Sequence, residues 1–179
     1  MLPSESEAPV EVVPYNPAWA SMFLEEQSAL EEALAPWLKG RVEHVGSTAV
    51  CGLAAKPVID IMAPVRNLAE SRGAIEAVRA LGYLYFPYEP TEMHWFCKPS
   101  PAHRTHHLHI VPVASELWHQ RLAFRDALRS SPSLARAYAV LKLRLAEQYK
   151  NDREAYTEAK TPFIQAALQA ACAGRTSAA

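Results

Sequence analysis

The stretch Glu43-His44-Val45-Gly46-Ser47-Thr48-Ala49-Val50, followed by Lys56-Pro57-Val58-Ile59-Asp60-Ile61, constrains the fold of this chain more than any other. An apolar, strand-like segment ends in Gly46-Ser47, and glycine permits a sharp turn and a close backbone approach there. Thr48 can then open a short helix through Ala55, which Pro57 stops. Val58 to Val65 reads as a strand rich in β-branched residues with one acid inside it. The first amides of a helix are unpaired and point outward, so an anion can sit at the turn. An acid on the next strand can hold a divalent cation against that anion. A phosphate cradle beside a metal-binding acid is the minimum equipment for handling a nucleotide.

Bulk properties narrow the classes. A chain of 179 residues, half of them apolar, is large enough for one domain with its own core. The 18 basic and 19 acidic side chains nearly cancel. No general basic surface follows, which disfavours polynucleotide binding and leaves a mononucleotide open. No apolar run approaches the roughly 20 residues of a membrane helix, so no membrane contact is expected. Met1 to Pro9 lacks the basic and apolar regions of a signal peptide and reads as a loose tail. Residues 170–179, mostly small, read as a second loose tail. Cys51, Cys97 and Cys172 are odd in number and lack CxxC spacing, as expected of reduced, mostly buried thiols in a cytoplasmic protein.

Periodicity places the elements. Val10 to Val13 reads as a short edge strand. Trp19, Phe23, Leu30 and Leu34, with Trp37 beside them, give an amphipathic helix ended by Gly40. Val42 to Val45 and Val58 to Val65 read as core strands, and Leu68 to Leu81 as a helix capped at Gly82. Tyr83 to Pro87 and Met93 to Lys98 suggest a hairpin, and His106 to Val113 a strand. Three helical stripes follow: Leu117 to Leu128, Leu134 to Tyr149, and Tyr156 to Ala167. The expected architecture is α+β: a mixed sheet with flanking helices, followed by a C-terminal helical subdomain. Residues 10–168 form the domain, split into an α/β part over 10–114 and a helical part over 115–168.

Several residues could carry chemistry, each with a plain structural alternative. Gly46 and Ser47 could cradle phosphate, or form a turn with Ser47 as N-cap. Lys56 could neutralise phosphate, or be solvated. Asp60, among apolar neighbours, needs a metal, a base or several hydrogen bonds, because a buried unpaired carboxylate is costly. In a strand, His107 and His109 point to one face and His106 and Leu108 to the other. If the Asp60 strand lies beside theirs, as the resemblance given below implies, Asp60, His107 and His109 could form a two-histidine, one-carboxylate set, suited to zinc, manganese or iron; half-buried, hydrogen-bonded histidines are the alternative. Trp95 could wall a base or belong to the core. A second paired-histidine motif and a GxSxG context are missing, which argues against histidine phosphoesterase and serine nucleophile chemistry.

The pattern resembles the GrpB family of the nucleotidyltransferase superfamily. The resemblance rests on Tyr15-Asn16-Pro17-Ala18-Trp19, Gly46-Ser47-Thr48-Ala49-Val50, Gly52-Leu53, Ala55-Lys56-Pro57, Ile59-Asp60-Ile61, His106-His107-Leu108-His109, Phe124-Arg125-Asp126, Leu141-Lys142, and Tyr156 with Lys160. It implies a nucleotidyltransferase-like fold with a nucleotide cleft between sheet and helices. Asp60 becomes the catalytic candidate, and Gly46, Ser47 and Lys56 the phosphate-binding set. His44, Trp95, Arg125, Lys142, Tyr156 and Lys160 become candidate cleft-lining residues, with a divalent metal as cofactor. Active superfamily members carry acid-x-acid on the Asp60 strand, whereas the second position here is Met62. Three functions stay open: a nucleotide-binding protein capable of metal-dependent nucleotidyl transfer, a non-catalytic nucleotide- or partner-binding regulatory module, and a metal-dependent hydrolase using the same cleft.

Overall fold

The computed structural model describes residues 8–176. Five strands, β1 (Glu43–Val45), β2 (Ile59–Val65), β3 (Leu84–Phe86), β4 (His94–Pro99) and β5 (Arg104–Pro112), form one mixed sheet in the order β1-β2-β5-β4-β3. Only the β2–β5 pair is parallel. Among the described residues six helices flank it: α1 (Ala18–Ala33), α2 (Gly73–Arg79), α3 (Glu116–Ser130), α4 (Pro132–Gln148), α5 (Arg153–Glu158) and α6 (Thr161–Thr176). No helix among the described residues is long and apolar enough to cross a membrane.

Strand alternation divides the sheet into two chemically different faces. Ile59, Ile61, Ala63 and Val65 of β2, with Leu108 and Ile110 of β5, point toward α1 and α2 and join Trp19, Phe23, Leu30 and Val78 in the main core. The opposite face carries Asp60 and Met62 of β2 with His107 and His109 of β5. Register aligns them: Val45 pairs with Asp60, Asp60 with His107, and Met62 with His109. Part of this second face is closed by α3, where Trp118 packs with Val45, Met62, Met93 and Val111. The remainder opens toward α4, α5 and the start of α6.

The helical half is punctuated by its caps. Ser115 accepts from the Trp118 amide at the start of α3, and Ser131, followed by Pro132, accepts from Leu134 at the start of α4. Asp152 accepts from Ala155 and starts α5. Pro162 lacks an amide proton, so the expected single helix over Tyr156 to Ala167 breaks into α5 and α6. The break leaves Lys160 at the junction.

Three other local expectations change. The helix expected from Thr48 to Ala55 is a single 3-10 turn, Ser47–Ala49. Gly52 turns the chain at φ +77° and Ala55 bridges Val13 through paired amide bonds of 2.9 and 3.0 Å, so an extended pairing with a distant segment replaces the local helix. The same bridge is all that remains of the edge strand expected at Val10 to Val13. The helix expected from Leu68 begins at Gly73, because Asn67 caps a preceding turn through the Glu70 amide and the Ser71 hydroxyl bonds back to the Asn67 carbonyl. At the termini, Ala8 and Val10 are tied to Ala102 and Lys150, and α6 continues to Thr176 through much of the expected tail. Residues 1–7 and 177–179 of the two expected tails lie outside the described residues. Cys97 is buried but Cys51 is exposed.

Candidate functional site

Gly46 turns the chain out of β1 with φ +69°, a conformation strained for any residue with a Cβ. A Cβ there would fall on Asp60 Oδ2 and lie 2.9 Å from the Asp60 Cβ. The glycine therefore makes room for the carboxylate. Gly46→Ala should lower stability by about 2–4 kcal/mol, combining left-handed backbone strain with overpacking. A denaturation midpoint close to the parent's would contradict this.

Asp60 accepts from His107 Nδ1 at 3.0 Å, and its Oδ1 lies 4.0 Å from His109 Nε2. Burial pushes the carboxyl pKa up, but the His107 hydrogen bond and the nearby imidazoles and Arg121 outweigh it. Together they hold Asp60 well below the usual carboxylate range. Burial, followed by the charge of Arg121, pushes His109 well below its ordinary value, although Asp60 opposes the shift. The Nε2 atoms of His107 and His109 are both buried without a hydrogen-bond partner. One oxygen and two imidazole donors lie within 4.8 Å of one another. Orphaned ring nitrogens around a carboxylate fit a divalent metal of the borderline class.

The cations come from the other side of the cleft. Lys56, in the loop before β2, and Lys160, at the α5–α6 junction, lie over the same Tyr156 ring at 5.1 and 4.4 Å. Lys142 of α4 lies 4.8 Å from the Tyr138 ring and donates to the Ala54 carbonyl. Burial, followed by the charges of Lys160 and Lys56, lowers the Lys142 pKa to about 7. Burial, followed by Lys56, lowers Lys160 to about 7, although Asp60 opposes the shift. Arg121 of α3 feels the attraction of Asp60 and Glu89. Lys56, Lys142 and Lys160 thus form one cluster, and Lys160 and Arg121 also feel the charge of Asp60. Ser47 lies within hydrogen-bonding reach of the Tyr138 phenol, which links the turn after β1 to the helical half.

The expected site residues divide accordingly. Gly46, Ser47, Lys56, Asp60, His107, His109, Lys142, Tyr156 and Lys160 are brought together. Trp95 stands beside them, its ring 5.3 Å from that of His107, with Phe86 and Tyr88 around it. His44 and Arg125 are not in this cleft. His44 pairs with Ile61 in register, so its ring points to the opposite face, where it stacks on Phe23 at 4.6 Å. Arg125 pairs with Glu43 at 2.6 Å and donates to the His44 carbonyl at 3.0 Å. Both line a separate cavity of about 630 Å³ behind β1. The expected phosphate cradle of helix amides also changes, because three residues of 3-10 turn carry no helix of consequence. Lysine side chains supply the positive field instead. Arg121 and Tyr138 escaped the sequence reading. Their signal was polar groups within otherwise apolar helical stripes.

The mixed sheet roofed by a helical half is an α+β fold of the nucleotidyltransferase-like kind. The Cid1 poly(U) polymerase shares this fold at a TM-score of 0.50 and 8% identity, over 76% of this chain and 43% of that one. The family model described as GrpB protein matches residues 9–170, and the chain belongs to the GrpB family. It is 41% identical over 169 residues to a UPF0157 protein of Pseudomonas aeruginosa, covering 92% of this chain and 68% of that protein. It is 32% identical over 162 residues to the glutamate-rich protein GrpB of Alkalihalophilus pseudofirmus, covering 88% and 92% of the two chains. The crystal structure of GrpB from Enterococcus faecalis superposes with a TM-score of 0.81 at 34% identity, over 90% of this chain and 96% of that one.

Proposed function

We propose that this protein binds a nucleoside polyphosphate in the cleft between the sheet and the helical half. The observation that carries the reading is the cluster of Lys56, Lys142 and Lys160, which meets Asp60 and Arg121 through Lys160. Burial and mutual repulsion disfavour the charges of Lys142 and Lys160. Such a cluster is costly by itself and becomes favourable when an anion of several charges enters. Trp95, half-buried at the sheet end of the cleft, offers a stacking wall for a base.

Metal-dependent nucleotidyl transfer is the second reading, favoured by Asp60 and its two histidines. A divalent ion bound there would polarise a phosphoryl oxygen. This chain's residues would hold the polyphosphate and orient it across the β1 turn. Generic two-metal transfer is disfavoured by Met62. It stands at the second acid position but is fully buried under Trp118. A non-catalytic nucleotide-binding role therefore fits the geometry better than the usual two-metal reaction.

Calorimetry across the common nucleoside triphosphates tests the binding. Lys56→Ala and Lys160→Ala should each weaken it roughly 10- to 100-fold, the worth of a charged contact. No binding by the parent to any of them would overturn the reading.

A further inference from the structure

His109 Nδ1 lies 3.2 Å from Met93 Sδ. A thioether sulfur has no proton to give, so this contact requires the proton on Nδ1. Nε2 then presents a bare lone pair. That atom is buried without a partner and faces Asp60 Oδ1 across 4.0 Å. Two acceptors confront each other with no donor between them. His107 Nδ1 donates to the same oxygen at 3.0 Å, and a metal ion bound between them would take the place of that proton. Donors that share one ion at about 2.0–2.2 Å lie roughly 3–4 Å from one another, and both of these separations fall in that range.

We propose that Asp60, His107 and His109 bind a single transition-metal ion of the zinc class before any nucleotide arrives, and that Met93 is a positioning residue for it. Met93 fixes the His109 tautomer and so turns the Nε2 lone pair toward the ion. Two imidazoles and one carboxylate select zinc or cobalt over magnesium, which favours an all-oxygen shell and keeps its waters. The sheet supplies no second carboxylate here, because Met62 beside His109 is sealed beneath Trp118. The site therefore takes one ion. Metal occupancy rests on the same reading of the cleft as a ligand site. It is measured without nucleotide, so its failure and that of nucleotide binding are separate results.

The experiment titrates the stripped full-length protein with cobalt and follows visible absorption. One cobalt per chain is expected, displaced by zinc and retained against excess magnesium. Asp60→Asn and His109→Ala should each abolish the absorption band. Met93→Leu keeps the apolar bulk but removes the acceptor, and should weaken cobalt roughly tenfold without lowering the melting temperature. Met93→Gln returns an acceptor and should recover the affinity. No stoichiometric cobalt uptake by the parent, or displacement by magnesium, overturns the site. Parent-like affinity in Met93→Leu overturns the role of Met93.

Discussion

Lys142→Met should melt at a higher temperature than the parent at about pH 6, while losing its affinity for polyphosphate. Lys142 is 2% exposed, and its pKa falls from 10.5 to about 7 on folding. A displacement of this size corresponds to a cost on the order of 4 kcal/mol for keeping the charge in the folded state. Methionine has a similar length and no charge. Against the gain stands the lost hydrogen bond to the Ala54 carbonyl, worth about 2 kcal/mol. The net expectation is a gain of about 1–2 kcal/mol, or roughly 3–6 °C for a chain of this size. The sign with pH follows from proton binding. Between about pH 7 and pH 10.5 the unfolded chain holds the lysine proton more tightly, so parent stability rises with pH. Below that window the cost is fully present, and above it the cost is gone. The advantage of the variant should therefore be largest under mildly acidic conditions and vanish in strong alkali. A variant less stable than the parent at every pH would show that Lys142 is a structural residue.

Why should a fold keep such a lysine? Lys56, Lys142 and Lys160 come from different segments, and Lys142 and Lys160 lie buried against one another's charges and that of Lys56. Ligand sites commonly hold groups that destabilise the empty protein and are relieved by the bound molecule. The buried nitrogens around Asp60 repeat the pattern with opposite polarity. There, two buried ring nitrogens lack a hydrogen-bond partner.

Much of this arrangement was legible in the chain. Alternation put His107 and His109 on one face, and the family resemblance brought the Asp60 strand beside them; the parallel β2–β5 pairing supplies the contact. The same alternation, applied to Val45 and Asp60, puts His44 on the far side of the sheet; resemblance alone had assigned it to the cleft. The Thr48 to Ala55 segment carried helical signals, and only the distant bridge between Ala55 and Val13 decides otherwise. Lys160 near Tyr156 was visible as a helical-turn spacing, yet the break at Pro162 determines where the lysine points. Arg121 was visible only as a charge inside an apolar stripe. Its approach to Asp60 depends on how α3 crosses the sheet, which no local pattern encodes. Met62 was legible as a missing acid. That the position is closed by Trp118 required the packing.

The most direct test is a calorimetric titration of the parent with each common nucleoside triphosphate and with inorganic tripolyphosphate. It is run at about pH 8 in two buffers of different ionisation heat. Lys142 and Lys160, with pKa values of about 7, are mostly neutral there in the free protein. Lys142 faces Lys56 and Lys160, while Lys160 faces Lys56, Asp60 and Arg121, so an incoming polyanion raises both pKa values. The expected result is binding with uptake of about one to two protons, and affinity that weakens up to about tenfold per lysine for each pH unit above neutrality. No heat with any of these ligands, or binding whose enthalpy is the same in both buffers, would contradict the assignment of the cleft as a polyphosphate site.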